Sequence, residues 1–219
     1  KVFAREEALT YEGERFQIPF RGEGSTGQGK PLKSMLHSRR DIPIFTGSMA
    51  PKSQEMSAEL ADGCLLTCMS PEKPGVLMQH FERGFEKSGD PQKRERFEIV
   101  PTVGVRIEDD LEKAYEPFRQ QLCLYVGGMG SRNKNFYKDY LVKVGFEGEC
   151  EKIQSLFLEG KRAEALAAVP DAMIDAVHLV GSKARIKDRL QRYQSSPVTT
   201  LLVGAADLET LRFMAEANS

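Results

Sequence analysis

The sequence contains no tryptophan, only three histidines and only four cysteines. It also has no hydrophobic run approaching the ~20 residues of a membrane-spanning helix, so we expect no membrane segment. The histidines, His37, His80 and His178, share no spacing that would build a metal site, so we expect no metal. The GxSxG, Walker-loop and HExxH motifs are absent. Serine hydrolase, P-loop and zinc protease chemistry therefore lack their sequence markers.

Charged residues are numerous but balanced, with 31 basic and 32 acidic side chains and a formal net charge of -1. Because the two signs are interspersed along the chain, we expect no nucleic-acid partner. The four cysteines lie in apolar segments rather than in a disulfide framework, which favours a cytoplasmic protein. Cys64 and Cys68 fall on one face of a predicted strand, about 13 Å apart and too far for a shared metal. We interpret them as core or pocket lining.

Length and composition, 219 residues of which 40% are hydrophobic, predict one globular domain over residues 1–219. Four apolar segments are candidate strands, at 42–46, 64–68, 98–107 and 199–204. Helical segments separate them, including one at 172–179 with Asp171 as its cap. A hairpin is expected at 11–20, with an apolar side formed by Tyr11, Phe16 and Ile18. This order of elements predicts an α/β fold.

The segment DIPIFTGSMAPKSQEMSAELADGCLLTC, residues 41–68, organises the rest of the chain. Its first apolar run, 42–45, predicts a short buried strand, and a turn of small residues follows. Pro51 fits the first turn of a helix that runs roughly to Leu60, where an Asp-Gly pair stops it before a second apolar run. Strand–helix–strand units of this kind are parallel in nearly all proteins, and their functional end is the carboxyl end of the strands.

The turn after the first of these strands has the chemistry of an anion site. Backbone N–H groups of Met49, Ala50, Lys52 and Ser53 would meet at the helix N-terminus, where an anion is favoured by roughly 0.3–2 kcal/mol. The Lys52 ammonium and the hydroxyls of Ser48 and Ser53 could add to this attraction. The alternative is that the turn only joins strand to helix. The residues alone leave both interpretations open.

The same segment resembles part of a known family. IPIFTGSMAPKSQEMSAELADG is similar to the fifth strand, loop and helix of the luciferase-like flavin and deazaflavin oxidoreductases, whose pattern has Gly-Pro-Lys before the helix and Ala-Asp-Gly at its end. The likeness extends to TYEGERFQIPF and GKPLKSMLH upstream, and to LYVGGMGSRNKNFYKDY and TTLLVGA downstream. These segments resemble the deazaflavin (coenzyme F-420) branch more than the flavin branch.

The resemblance implies the second half, strands five to eight, of a TIM (β/α)8 barrel, a fold that usually takes about 250 residues. The chain would then lack the first four β/α units. Those units would hold the residues that face the reactive carbon of the cofactor, so the catalytic residues are unknown. On this interpretation, about 100 or more residues precede Lys1 in the complete protein.

The resemblance also implies site residues. The loop that holds the cofactor phosphate would comprise Gly47, Ser48, Met49, Ala50, Lys52 and Ser53. Ala50 replaces the usual glycine, which predicts strain if the backbone there needs a positive φ. The substrate pocket would draw on Thr67, Cys68, Thr102, Gly128, Met129 and Asn135, with Gly204 at the last strand end and Asn133, Lys134, Phe136 and Tyr137 as further wall. From the residues alone, the glycines at 127–130 are more typical of a helix-to-helix corner.

The function implied by the resemblance is hydride transfer between coenzyme F-420 and an organic small molecule. One alternative is an FMN-dependent monooxygenase that activates oxygen. Another is a non-catalytic half-barrel. Half a barrel leaves two unpaired strand edges and an open apolar face, so we expect a homo-oligomer.

Overall fold

The computed structural model of the chain describes residues 1–205 and 207–218. Contacts between residues divide the chain into two compact units, Lys1–Pro43 and Ile44–Ser219. The first unit contains an antiparallel hairpin of β1 (Tyr11–Glu12) and β2 (Gln17–Ile18). The predicted hairpin is therefore confirmed. Its expected apolar side is not buried, because Tyr11 is 53% and Phe16 is 75% exposed.

The second unit is an α/β structure built on a parallel sheet. Its strands are β3 (Phe45–Gly47), β4 (Gly63–Leu66), β5 (Glu98–Ile107), β6 (Leu179–Gly181) and β7 (Leu202–Ala205). Its helices are α1 (Pro51–Leu60), α2 (Gly75–Ser88), α3 (Lys93–Arg96), α4 (Leu111–Gly128), α5 (Phe136–Val144), α6 (Glu147–Leu158), α7 (Arg162–Ala167), α8 (Asp171–Asp175), α9 (Lys183–Gln194) and α10 (Leu208–Ala217).

All pairings in this sheet are parallel. β3 pairs with β4, and β4 pairs with the first half of β5. β7 pairs with β5 on the edge opposite β4. The backbone of Ile99 exchanges hydrogen bonds with Thr199, whereas the N–H of Glu98 donates to the carbonyl of Asp62 just before β4. Because neighbouring residues of a strand direct their backbone groups to opposite edges, the spatial order is β3–β4–β5–β7.

The four predicted strands are confirmed as parallel neighbours in chain order. The prediction for 98–107 has the observed bounds, and the predicted helix starts at Pro51 and ends at Leu60 as observed. The run 42–45 was predicted to be a buried strand, which is wrong. The strand starts only at Phe45, and Ile42 and Ile44 are 40% and 54% exposed because this run lies at the edge of the sheet.

The helix predicted at 172–179 is present, but its predicted end is wrong. α8 ends at Asp175, and Leu179 begins β6, which pairs with Val105 to Ile107 at the far end of β5. The physical reason is a long-range pairing, since β5 extends beyond β4 and offers a free stretch of backbone. The residues of β6 are fully buried there. A strand of three residues that follows the short helix α8 carries too little local pattern to be recognised from sequence.

The two main clusters of the hydrophobic core pack against the face of the sheet that carries Cys64 and Val103. One cluster packs Cys64 and Leu66 of β4 against helices α1, α2 and α4–α8. A second cluster packs Val103 and Val105 of β5 against α9 and α10. On the other face, Leu65 is 39% exposed between its two buried neighbours.

His178 is a buried neutral side chain beside the middle of β5. Its Nδ1 accepts the N–H of Gly104 at 3.2 Å, and its ring stacks on Phe118 with centroids 4.4 Å apart. A Cβ at Gly104 would lie 2.2 Å from the Phe118 ring, so only glycine fits between strand and rings. Burial lowers the pKa of His178 to about 4. The folded protein therefore holds this imidazole without its second proton near neutral pH.

This burial predicts acid-sensitive stability. The unfolded chain protonates His178 near its ordinary pKa of about 6.5, whereas the folded chain does so near 4. The contribution to stability is complete above pH ~6.5 and is lost as pH falls towards 4, by about 2–3 kcal/mol. Urea unfolding of the parent and of His178→Phe at pH 7 and pH 4.5 measures it. The parent should lose more stability than the variant between the two pH values, and equal losses would contradict the account.

Candidate functional site

The turn between β3 and α1 is fixed to the sheet by its own backbone. The N–H of Ser48 donates to the carbonyl of Leu65 at 3.3 Å, which ties the start of the turn to the end of β4. α1 then begins with Pro51 in its first turn, as the sequence predicts. Ala50 precedes it in an extended conformation, with φ -76° and ψ 143°. The expected strain at Ala50 is therefore wrong, because the backbone here needs no positive φ.

A cluster of hydroxyl groups holds the inner side of this turn. The Ser57 hydroxyl of α1 donates to the Ser53 carbonyl at 2.7 Å and accepts from Thr46 at 2.5 Å. The Ser48 oxygen lies 3.1 Å from the same Ser57 oxygen, and Ser48 is only 7% exposed. The Ser48 hydroxyl therefore faces the protein interior. The Ser48 side chain therefore stabilises the turn and is not directed towards a bound anion.

The outer side of the turn carries unused donors. The N–H groups of Met49, Ala50, Lys52 and Ser53 donate to none of the residues that the structure describes. No side chain caps α1, and its first turn contains no acidic residue. Lys52 is exposed and forms no ion pair within residues 1–205 and 207–218. Four free amides at the N-terminus of a ten-residue helix, beside a free ammonium, fit an anionic group such as a phosphate.

The residues predicted for a substrate pocket near the strand ends differ in burial and in position. Cys68 is 3% exposed in the core, and burial raises the pKa of its thiol to about 12. Thr67 precedes it, just after the end of β4. Thr102 lies in the middle of β5, opposite Leu202 of β7, rather than at the end of the strand. Cys68 is thus a core residue, as the alternative interpretation has it.

The glycine-rich segment forms a corner between helices. Gly128 lies in the last turn of α4, where an added Cβ would stand 2.5 Å from the ring of Phe157. Asn135 is 2% exposed and caps α5 by accepting the N–H groups of residues 137 and 138. Its amide donates to the carbonyls of Tyr125 and Val126 at 2.8 and 2.9 Å. The corner interpretation is confirmed, and the Met129 side chain there is 50% exposed.

A cavity of about 110 Å³ joins the turn to the start of α5. Met49 and Pro51 line it from the turn, and Phe136, one of the predicted wall residues, lines it from α5. Its polar lining comprises Gln54, His80, Asp139, Tyr140 and Lys143. Burial lowers the pKa of His80, with the nearby Arg83 and Lys143 charges acting in the same direction. The cavity thus joins the turn at residues 47–53 to the start of α5, which the sequence analysis describes as separate parts of the site.

Gln54 and His80 were not predicted from the sequence. Gln54 is fully buried, and neither atom of its amide has a hydrogen-bond partner in the described part of the chain. A helical pattern could have placed it inside, because it stands four residues before the buried Ala58 on α1. His80 lies on the buried face of α2 with Leu77 and is 7% exposed.

Neither a metal centre nor a membrane span is found in the described residues. No group of three or more histidine, cysteine, aspartate or glutamate side chains there could hold a metal ion. No helix within those residues is long and apolar enough to cross a bilayer.

Comparison with known proteins identifies the family. The profile of the luciferase-like monooxygenases matches residues 1–200, which include the turn, the cavity and the corner. The chain belongs to the luciferase-like monooxygenase family. A Mycobacterium tuberculosis protein, named provisionally as a coenzyme F420-dependent oxidoreductase, is 35% identical over 216 residues, covering 98% of this chain and 62% of that protein. A 5,10-methylenetetrahydromethanopterin reductase of Archaeoglobus fulgidus is 25% identical over 198 residues, covering 90% and 55%.

The fold agrees with this assignment. The coenzyme F420-dependent tetrahydromethanopterin reductase of Methanopyrus kandleri superposes with a TM-score of 0.70 at 18% identity, covering 98% of this chain and 58% of that chain. The luciferase-like chain described here spans less than two thirds of the length of each of these relatives.

The hydroxyl cluster predicts a measurable loss of stability when its centre is removed. Ser57→Ala leaves the half-buried hydroxyl of Thr46 and the buried hydroxyl of Ser48 without this partner, which should destabilise the protein by about 1–3 kcal/mol. Ser195→Ala is the control, because Ser195 is exposed and bonds only a carbonyl within its own helix end. Urea unfolding of both variants measures the difference, and equal midpoints would contradict the role given to Ser57.

Proposed function

We propose that the chain is part of an oxidoreductase that uses coenzyme F420 and holds the cofactor phosphate on the turn at residues 47–53. The free amides of Met49, Ala50, Lys52 and Ser53 carry this proposal. The Lys52 ammonium adds charge without a competing carboxylate from the described residues. One relative is named as a coenzyme F420-dependent oxidoreductase and another as a 5,10-methylenetetrahydromethanopterin reductase. The likeness to them favours coenzyme F420 as the cofactor.

Hydride transfer would come from the cofactor, since a deazaflavin carries the electron pair and proton itself. The residues of this chain would bind and orient it. The backbone of the turn would fix the phosphate, and Thr46 and Ser57 would hold the turn in shape. The cavity next to Met49 and Phe136 would accept a small polar group of a bound molecule. The substrate would be a small organic molecule, and Thr67, Thr102 and Met129 are among the predicted contact residues that are not buried.

The barrel assignment belongs to the same proposal. β3, β4, β5 and β7 would be strands five to eight of a TIM barrel, and the residues facing the reactive carbon of the cofactor would lie on strands one to four. Their parallel order supports this assignment. The relatives, of which the chain spans 55–62%, are long enough to hold the other half. The free, buried cysteines favour a cytoplasmic location.

An FMN-dependent monooxygenase is the second candidate. The family name covers monooxygenases, and the phosphate of FMN would use the same free amides. Oxygen uptake on mixing the complete protein with reduced FMN separates the two functions. Uptake at a catalytic rate with FMN, and no turnover with coenzyme F420, would replace the first function by the second.

Charge substitutions in the first helical turn test the phosphate site. Ser53→Asp places a carboxylate in the first turn of α1, where it favours the helix but repels a phosphate. We expect at least ~10-fold weaker binding of coenzyme F420, and about 2–10-fold for Lys52→Ala, which removes one exposed charge. Ser48 is unsuitable for this substitution because it is buried.

Ala184→Asp is the matched control, an exposed residue in the first turn of α9. Fluorescence titration of the complete protein with coenzyme F420 measures all three variants, after unfolding curves show comparable stability. Ala184→Asp should bind like the parent. If Ser53→Asp also binds like the parent, the turn only connects strand to helix and the proposed site is wrong.

A further inference from the structure

Gln54 carries a buried amide without partners. The residue is 0% exposed, and neither the nitrogen nor the oxygen of its side-chain amide forms a hydrogen bond with any described residue. Its backbone is regular, since the N–H of Gln54 donates to the Ala50 carbonyl at 3.0 Å at the start of α1. An unpaired buried amide costs stability, and buried polar side chains almost always have a partner in native proteins. The Gln54 side chain therefore needs an explanation other than the stability of the fold.

Gln54 lines the cavity of about 110 Å³ that begins at the turn. Exposed residues form the rim of this cavity, among them Pro51 of the turn and Phe136 of α5. Buried residues form its floor, among them Gln54 and His80. Because one water takes up about 30 Å³ in the liquid, the cavity has room for a short group of a few heavy atoms. A group that enters from the rim thus meets an amide whose hydrogen bonds are unused.

The charges of the cavity lining balance each other. Asp139 and Lys143 have opposite charges, and neither forms an ion pair in the described part of the chain. His80 accepts a hydrogen bond from Arg83 on Nδ1, so Nε2 carries the proton of the neutral ring. Burial lowers the pKa of His80, which keeps the ring uncharged near neutral pH. The lining thus favours neither an anion nor a cation.

The Gln54 amide selects the kind of group that fits. It offers two N–H donors and one acceptor oxygen. A carboxylate would pair with the donors and leave the oxygen unpaired, whereas an ammonium would pair with the oxygen and leave the donors unpaired. A hydroxyl group both donates and accepts, so it pairs with both ends of the amide. A neutral hydroxyl group therefore fits this cavity better than a charged group.

We propose that the cavity binds a hydroxyl group of a phosphate ester whose phosphate lies on the free amides of the turn. The Gln54 amide donates to that hydroxyl and accepts from it, and thereby determines which esters bind. Two of the phosphate donors, the N–H groups of Lys52 and Ser53, directly precede Gln54 in α1, and one helical turn rises only ~5.4 Å. A hydroxyl two or three bonds beyond the phosphate spans this distance. The proposal rests on the phosphate site of the proposed function.

Three small anions test the proposal on the complete protein. Inorganic phosphate and ethyl phosphate offer the turn a phosphate alone, whereas glycerol 3-phosphate adds hydroxyl groups. Gln54→Met keeps the length of the side chain and removes its hydrogen-bonding groups. Gln191→Met makes the same change at an exposed position of α9 and is the matched control. Amide chemical shifts recorded by NMR during titration give the affinity for each anion and the residues that respond.

The parent and Gln191→Met should bind glycerol 3-phosphate about 5–10-fold more tightly than ethyl phosphate, because only the former pairs with the buried amide. In Gln54→Met this preference should disappear, while inorganic phosphate binds all three proteins alike. Urea unfolding without ligand should give Gln54→Met a midpoint no lower than that of the parent, because the variant loses only an unpaired amide. A clearly lower midpoint would show that the amide stabilises the fold and would contradict the proposal.

The side-chain NH2 signals of Gln54 give a readout that needs no variant. In the parent they should shift on titration with glycerol 3-phosphate and stay in place with ethyl phosphate. Equal affinity of the parent for the two esters would overturn the proposal, as would a preference that Gln54→Met retains. If inorganic phosphate still shifts the amides at 49–53 in those cases, the phosphate site stands and only the cavity assignment is wrong. If none of the three anions shifts these amides, the phosphate site is wrong and the cavity proposal fails with it.

Discussion

The backbone ladder of β5 is the constraint on which the second unit depends. Residues 98–101 pair with β4, residues 102–105 with β7 and residues 105–107 with β6. Its side chains also separate the two core clusters, because Ile99 belongs to the first and Val103 and Val105 to the second. A single ten-residue strand thereby sets the order of every other strand in the sheet. His178 packs against Gly104 of β5. This contact requires a glycine at position 104 and a neutral imidazole ring beside the strand.

This ladder positions the candidate site indirectly. Pairing of β5 with β4, and of β4 with β3, places the end of β3 where the Ser48 N–H meets Leu65. The Ser57 hydroxyl then holds Thr46 and Ser48 on the inner side of the turn. With those side chains directed inward, the backbone donors remain on the outside. Hydroxyl groups thus shape the turn, and in the proposed function the main-chain amides would attract an anion, a role that needs no conspicuous catalytic motif.

Sequence patterns predicted the parts of the fold with strong local signals. Pro51 and the Asp62-Gly63 pair marked both ends of α1, and the long apolar run of β5 gave its bounds. β6 was missed because its three residues gain their structure only from pairing with distant β5.

The site was predictable in its backbone but less so in its side chains. The chain order alone places residues 47–53 together, so the turn with free amides could be named as a candidate anion site. Ser48 turning inward, and Asn135 being used to join α4 to α5, depend on tertiary hydrogen bonds that no spacing reveals. Gln54 was overlooked because a glutamine on a helix is usually exposed. Its spacing of four residues from Ala58 on α1 is the local signal that could have placed it inside.

The central claim is that the free amides of the turn hold the phosphate of the cofactor. Amide chemical shifts of the complete protein, recorded by NMR during titration with coenzyme F420, test it most directly. The account predicts that saturable shifts are largest at Met49, Ala50, Lys52 and Ser53, and small at the side-chain-capped start of α9. Saturable binding that leaves these four amides unmoved would contradict it.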